Sequence, residues 1–123
     1  MVKFHKFKNE HGEVYAASKK IDHSTYAVGF AFCNPKDLQI RRKIRSQKGK
    51  GLAKKRLDSV PVMVETTGNI RAELKELLRN AGSMGEIAMC SLLNVKPYRS
   101  DNGKSGEFVK WFRRFARCLS SED

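Results

Sequence analysis

The segment Tyr26-Ala-Val-Gly-Phe-Ala-Phe-Cys33 constrains this chain more than any other. Strand side chains alternate between the two faces of a sheet. Tyr26, Val28, Phe30 and Phe32 therefore point one way, and Ala27, Gly29, Ala31 and Cys33 the other. The large residues fill a core or make a stacking platform. The small ones let another layer of structure approach closely.

The other elements are arranged around that strand. Residues 2–8 alternate and read as a strand, 9–12 as a turn and 13–19 as a second strand, together a hairpin. Asn34, Pro35 and Asp37 are a helix-start signal: a cap, a residue suited to the first helical position, and a capping-box acid. That helix is expected to run to residue 46 on a thin apolar stripe of Leu38, Ile40 and Ile44. Gly49-Lys-Gly51 should break or kink it, and 52–57 resume it. Residues 60–65, an apolar run bounded by breakers, are expected to form a buried strand that Pro61 pushes toward an edge or a strand start.

Ile70, Leu74, Leu77, Leu78 and Ala81 share one face of a helix ending at Gly82, and Ser83 is placed to cap a nearly all-apolar helix over 84–93. Residues 96–104 read as a loop. The last helix, 105–119, has Phe108, Phe112, Phe115 and Leu119 on one stripe. The tail, 120–123, is polar and expected to fray. The order β-β-β-α-β-α-α-α predicts one α+β domain over residues 1–123. It is a small antiparallel or mixed sheet of about four strands covered by about four helices.

The chain carries 25 Lys+Arg against 13 Asp+Glu, a net charge of +12, and the location of that charge is the functional signal. Residues 36–56 hold ten basic side chains and one acid, an excess of nine; residues 104–117 hold five against one. The rest sums to −1. A merely solvated surface mixes signs, whereas a concentrated excess calls for a polyanion. The residues that fit phosphate contact are Arg41, Arg42, Lys43, Arg45, Lys48, Lys50, Lys54, Lys55 and Arg56, joined by Arg113, Arg114 and Arg117 on the last helix. Arginine forks match phosphate oxygens in pairs, lysines supply point charges, and Gly49 and Gly51 would let backbone N–H groups approach a phosphate. Trp111 sits beside the apolar stripe of that helix and is expected to be at least partly buried.

Val28-Gly-Phe-Ala-Phe32 resembles the core of the RNP1 strand of RNA-recognition domains, whose exposed aromatics stack on bases. The likeness covers Gly29, Phe30, Ala31 and Phe32. Val28 replaces the leading basic residue, Pro35 the later aromatic, and 25 residues before Tyr26 are too few for the usual strand-helix-strand prelude. Phe30 and Phe32 are accordingly expected in a core. A second likeness runs through Cys33-Asn-Pro-Lys-Asp37, Arg42/Lys43 and Gly51-Leu-Ala-Lys-Lys-Arg-Leu57. This segment, about a quarter of the chain, resembles small uncharacterised bacteriophage-encoded basic proteins. It implies a virus-encoded accessory protein and no defined activity.

Other chemistries find less support. Asn102-Gly-Lys-Ser-Gly106 contains GKS, but Tyr98 stands where a P-loop needs glycine. A helix-turn-helix over 70–93 would have a second helix with no basic residue to enter a groove. Asp37, Asp58, Glu65 and Glu86 are scattered, so no catalytic residue and no cofactor is assigned. His5, His11, His23 and Cys33 follow no zinc spacing, and no metal site is assigned either. No run of about 18 apolar residues exists to span a membrane, and the N-terminus lacks a signal-peptide pattern. Three cysteines in no CxxC pair fit a reducing, cytoplasmic compartment. The expected function is nucleic-acid binding, DNA or RNA, through backbone phosphates. The rival is a viral-type interaction module or inhibitor docking on an acidic surface of a host protein or ribosome.

Overall fold

The small face of the central strand dictates the layering. In the computed structural model, which describes residues 1–33, 42–95 and 104–119, four antiparallel strands form one sheet in the order β1-β2-β3-β4. They are β1 (Val2–Asn9), β2 (Gly12–Asp22), β3 (Thr25–Cys33) and β4 (Val62–Glu65). Helix α1 (Arg42–Ser59) follows β3, and α2 (Ile70–Ala81), α3 (Glu86–Leu93) and α4 (Lys104–Arg117) follow β4. This is the expected α+β order. The helix-start signal at Asn34, Pro35 and Asp37, the stripe residues Leu38 and Ile40, residues 96–103 of the expected loop and the tail from 120 lie outside the described residues, while Lys104, expected at the end of that loop, opens α4.

One face of the sheet carries Phe7, Val14, Ala16, Val28, Phe30, Val62 and Val64. It packs against Leu74 and Leu78 of α2, Met89 and Leu93 of α3, and Phe112 and Phe115 of α4. The opposite face carries Tyr15, Ala17, Ala27, Ala31 and Cys33 and, among the described residues, is covered by α1, through Ala53 and Leu57. The approach there is so close that a Cβ on Gly29 would lie 2.2 Å from the Ala53 carbonyl oxygen and 2.3 Å from the Leu57 nitrogen. Both faces are covered, so β3 offers no open aromatic platform. Phe30 is buried, and Phe32 packs edge-on to Phe108, Trp111 and Phe112. Trp111 is itself buried, its indole N–H donating to the His11 carbonyl.

Three elements differ from expectation. α1 is unbroken through Gly49 and Gly51. Each glycine costs a helix interior about 1 kcal/mol relative to alanine, but Gly49 lies against the Tyr15 ring, where a Cβ would sit 2.4 Å from the ring carbons. Packing against the sheet outweighs the local propensity. The sheet-facing stripe of α1 is Arg45, Gly49, Ala53 and Leu57 at four-residue spacing, with Gly49 half-buried and the others buried, and Ile44 is exposed. β4 is half-buried: Val62 and Val64 face the core and Met63 faces out, as suits an edge strand starting just after Pro61. Finally, α3 starts at Glu86 after Gly85, two residues later than a Ser83 cap implies. It ends at Asn94, whose left-handed backbone and side-chain bonds to the Val60 and Pro61 carbonyls tie it to β4.

Candidate functional site

The ion network under α1 positions everything on its surface. Glu13 of β2 is fully buried, and Arg45 grips it with two hydrogen bonds, Nε to Oε1 at 2.9 Å and Nη2 to Oε2 at 3.1 Å. The Tyr15 hydroxyl donates to the same carboxylate at 2.6 Å, and Lys6 of β1 stands 3.5 Å from it. Burial alone would push the Glu13 carboxyl up. The bonds from Arg45 and Tyr15, with the charges of Lys6 and Arg45, outweigh that and hold it below the usual carboxylate range. Tyr15 is pushed up to about 12, by burial first and then by the carboxylate its hydroxyl faces. A buried charge survives only when paired this completely, so the network sets the rotation of α1 about its axis.

With Arg45 turned inward, Lys43, Ser46, Gln47 and Lys50 form a neighbouring stripe of α1 at three- and four-residue spacing. The stripe faces Lys6 on the edge strand β1, and these five side chains line an open groove of ≈ 560 Å³. Among the described residues, no carboxylate lines it. Lys6 leans on Glu13 from above, but that single negative charge already serves Arg45, so the groove stays cationic. Phe4, two residues along β1 and 44% exposed, has the Lys50 ammonium 6.0 Å from its ring centre.

The predicted phosphate-contacting residues separate into groups. Lys43 and Lys50 line the groove. Lys48 is exposed on another flank of α1, beside a smaller cavity of ≈ 140 Å³ that Tyr15, Phe32 and Leu52 also line, and Lys55 is exposed further along. Lys54 bonds Asp58 at 2.6 Å, one helical turn away. Arg45 was expected at phosphate and is instead an internal cation, 9% exposed, because the buried Glu13 requires a partner. Arg56 likewise has one arm on the Phe30 carbonyl at 2.7 Å, and Arg113 one arm on the Met84 carbonyl at 3.1 Å. Arg41 and the side chain of Arg42 lie outside the described residues. Arg114 and Arg117 are exposed on α4, across the sheet from α1. The two basic segments therefore do not merge into one surface.

Sequence reasoning missed Lys6, Phe4, Ser46 and Gln47. The signal was available in part: Val2, Phe4, Lys6 and Lys8 share a face of β1. That α1 would lie beside that face was not visible along the chain. Comparison with family models, with curated proteins and with solved structures finds no match to this chain, so its function is read from geometry alone.

Proposed function

We propose that this chain binds nucleic acid through the phosphate backbone, in the groove between β1 and α1. The supporting observation is the convergence of Lys6, Lys43 and Lys50 on an open groove that no carboxylate lines among the described residues, flanked by the hydroxyl of Ser46 and the amide of Gln47. Like charges held this close repel, and an anion threaded among them relieves the repulsion. The exposed ring of Phe4 beside Lys50 gives a base a surface to stack on, which favours an unpaired strand over a duplex. Phosphate contacts set position and leave sequence preference open.

The test uses chain purified through nuclease and high-salt washing, titrated with generic single-stranded and duplex oligonucleotides over a range of salt. Affinity should fall steeply with salt. The triple variant Lys6→Ala/Lys43→Ala/Lys50→Ala should lower the salt slope by about three and keep the fold, checked by circular dichroism, with a small loss of stability from removing Lys6 beside Glu13. Phe4→Ala should weaken single-strand binding by about 1–3 kcal/mol and duplex binding less. A flat salt dependence, or a triple variant that binds as well as the parent, overturns this reading. The same lysines would then suit an acidic protein surface, reached by electrostatic steering.

A further inference from the structure

We infer that Glu10, His11 and Cys118 form a zinc site that clamps the β1–β2 turn to the end of α4. Glu10 and His11 lie in the turn between β1 and β2, and Cys118 lies just past the last residue of α4, at the opposite end of the chain. A carboxylate oxygen, an imidazole nitrogen and a thiol sulfur from these residues lie within 4.8 Å of one another. The His11 Nε2 and a Glu10 carboxylate oxygen are 3.6 Å apart. Zinc bond lengths of about 2.0–2.3 Å place tetrahedral ligands about 3.5 Å apart, so side-chain torsions suffice to close the set. Glu10 and Cys118 are exposed and free to make that adjustment.

The backbone under the three donors is already fixed. Asn9 donates from Nδ2 to the Phe115 carbonyl at 2.9 Å and accepts from the His11 N–H at 2.8 Å. The Trp111 indole N–H donates to the His11 carbonyl. Gly12, at φ +147°, lets the turn pass over the Trp111 ring, which a Cβ would approach to 2.9 Å. The Cys118 N–H is held by the Arg114 and Phe115 carbonyls at 3.2 Å. The turn and the helix end are thus docked on each other with their metal-binding side chains on the same side. A site assembled in advance loses less entropy on binding.

The donor set selects the metal. One thiolate, one imidazole and one carboxylate suit zinc, whereas magnesium and calcium take oxygen ligands only. Three protein ligands leave the fourth tetrahedral position to water. Binding forms the zinc–sulfur bond and releases the Cys118 thiol proton to solvent.

Untagged chain, stripped with a chelator, is titrated with Co²⁺ as a spectroscopic stand-in and then with Zn²⁺. One equivalent of Co²⁺ should produce a thiolate-to-cobalt charge-transfer band, and Zn²⁺ should bleach it. Cys118→Ser should abolish the band, and both it and His11→Gln should weaken zinc by at least about 100-fold. Glu10→Gln should weaken it less. Zinc should raise the melting temperature of the parent and not of Cys118→Ser, whose metal-free melting temperature should match the parent because the thiol is exposed. Cys90→Ser, at a buried thiol that is not one of the three clustered donors, should keep the band. Failure of the parent to bind cobalt or zinc overturns the proposal. So does zinc binding unchanged in Cys118→Ser, or a band lost in Cys90→Ser and kept in Cys118→Ser.

Discussion

α1 and α4 are both basic helices on the same sheet, and they are held to it by opposite means. α4 presents Phe112 and Phe115 to the core, with Trp111 stacked near Phe115 at 5.5 Å between ring centres. Its arginines are carried on an element that aromatic burial secures. α1 has only Ala53 and Leu57 as buried apolar anchors. Its position comes from the Arg45–Glu13 pair and from glycines that bring the backbone close. Apolar burial is non-directional and leaves a helix some rotational freedom, whereas a bidentate ion pair fixes rotation. The helix with the weaker apolar anchor therefore has the better-defined cationic stripe.

The largest expected effects test that contrast directly. Arg45→Met leaves Glu13 buried without its main partner and should cost about 3–5 kcal/mol of stability, measured by denaturant unfolding. Phe112→Ala should cost a similar ~3–5 kcal/mol from a different source, an unfilled cavity. Pairing Arg45→Met with Glu13→Gln should recover part of the first loss and none of the second. If Arg45→Met is neutral, the ion pair does not seat the helix.

Next in size is Gly29→Ala. Its Cβ would meet backbone atoms of α1, which cannot rotate away, so the variant should lose about 1–3 kcal/mol or more. A crystal structure of it should show α1 displaced from β3 and the groove altered, with α4 unmoved.

The pH dependence separates the layers more gently. Glu13 has a folded pKa below its ordinary 4.5, so its contribution is fully present above that value and is lost as pH falls through the depressed one. Stability should therefore drop in acid, and Glu13→Gln should flatten that drop. Tyr15 moves the other way. With its folded pKa raised from 10.0 to about 12, its contribution is intact below 10 and fades as pH rises toward 12. Tyrosinate absorbance should show a late step from Tyr15 that is absent in Tyr15→Phe. A single late step that persists in Tyr15→Phe would assign it elsewhere.

The smallest effect concerns two glycines two residues apart. Nothing lies within 4 Å of a Cβ on Gly51, so Gly51→Ala should stabilise the helix by about 0.5–1 kcal/mol in thermal melts. Gly49→Ala should destabilise, because its Cβ meets the Tyr15 ring. If both stabilise, the Gly49 contact is looser than the structure has it.

Much of the fold was legible in the residues. The alternation of β3 foretold a face built for close approach, and α1 occupies it. The hairpin, the edge strand after Pro61 and the apolar stripes of α2 and α4 follow from periodicities of two and 3.6 that survive burial unchanged. The break at Gly49 and Gly51 did not materialise, because propensity is worth about 1 kcal/mol per glycine and tertiary packing exceeds it.

The site was legible only as a segment. Composition located the charge on residues 36–56 but could not say which cations point outward. Arg45 and Lys43 look alike along the chain, and what separates them is Glu13, buried on a strand thirty-two residues away. Lys6 lines the groove, with Phe4 beside Lys50, because β1 is the edge beside α1, and Cys118 meets His11 because α4 ends on the first turn. The sequence alone determined the elements, their apolar faces and where the charge is concentrated, since these depend on neighbours a few residues apart. The tertiary structure alone decided which charges are internal and which donors meet, because electrostatic pairing and ligation act through space between residues distant in the chain.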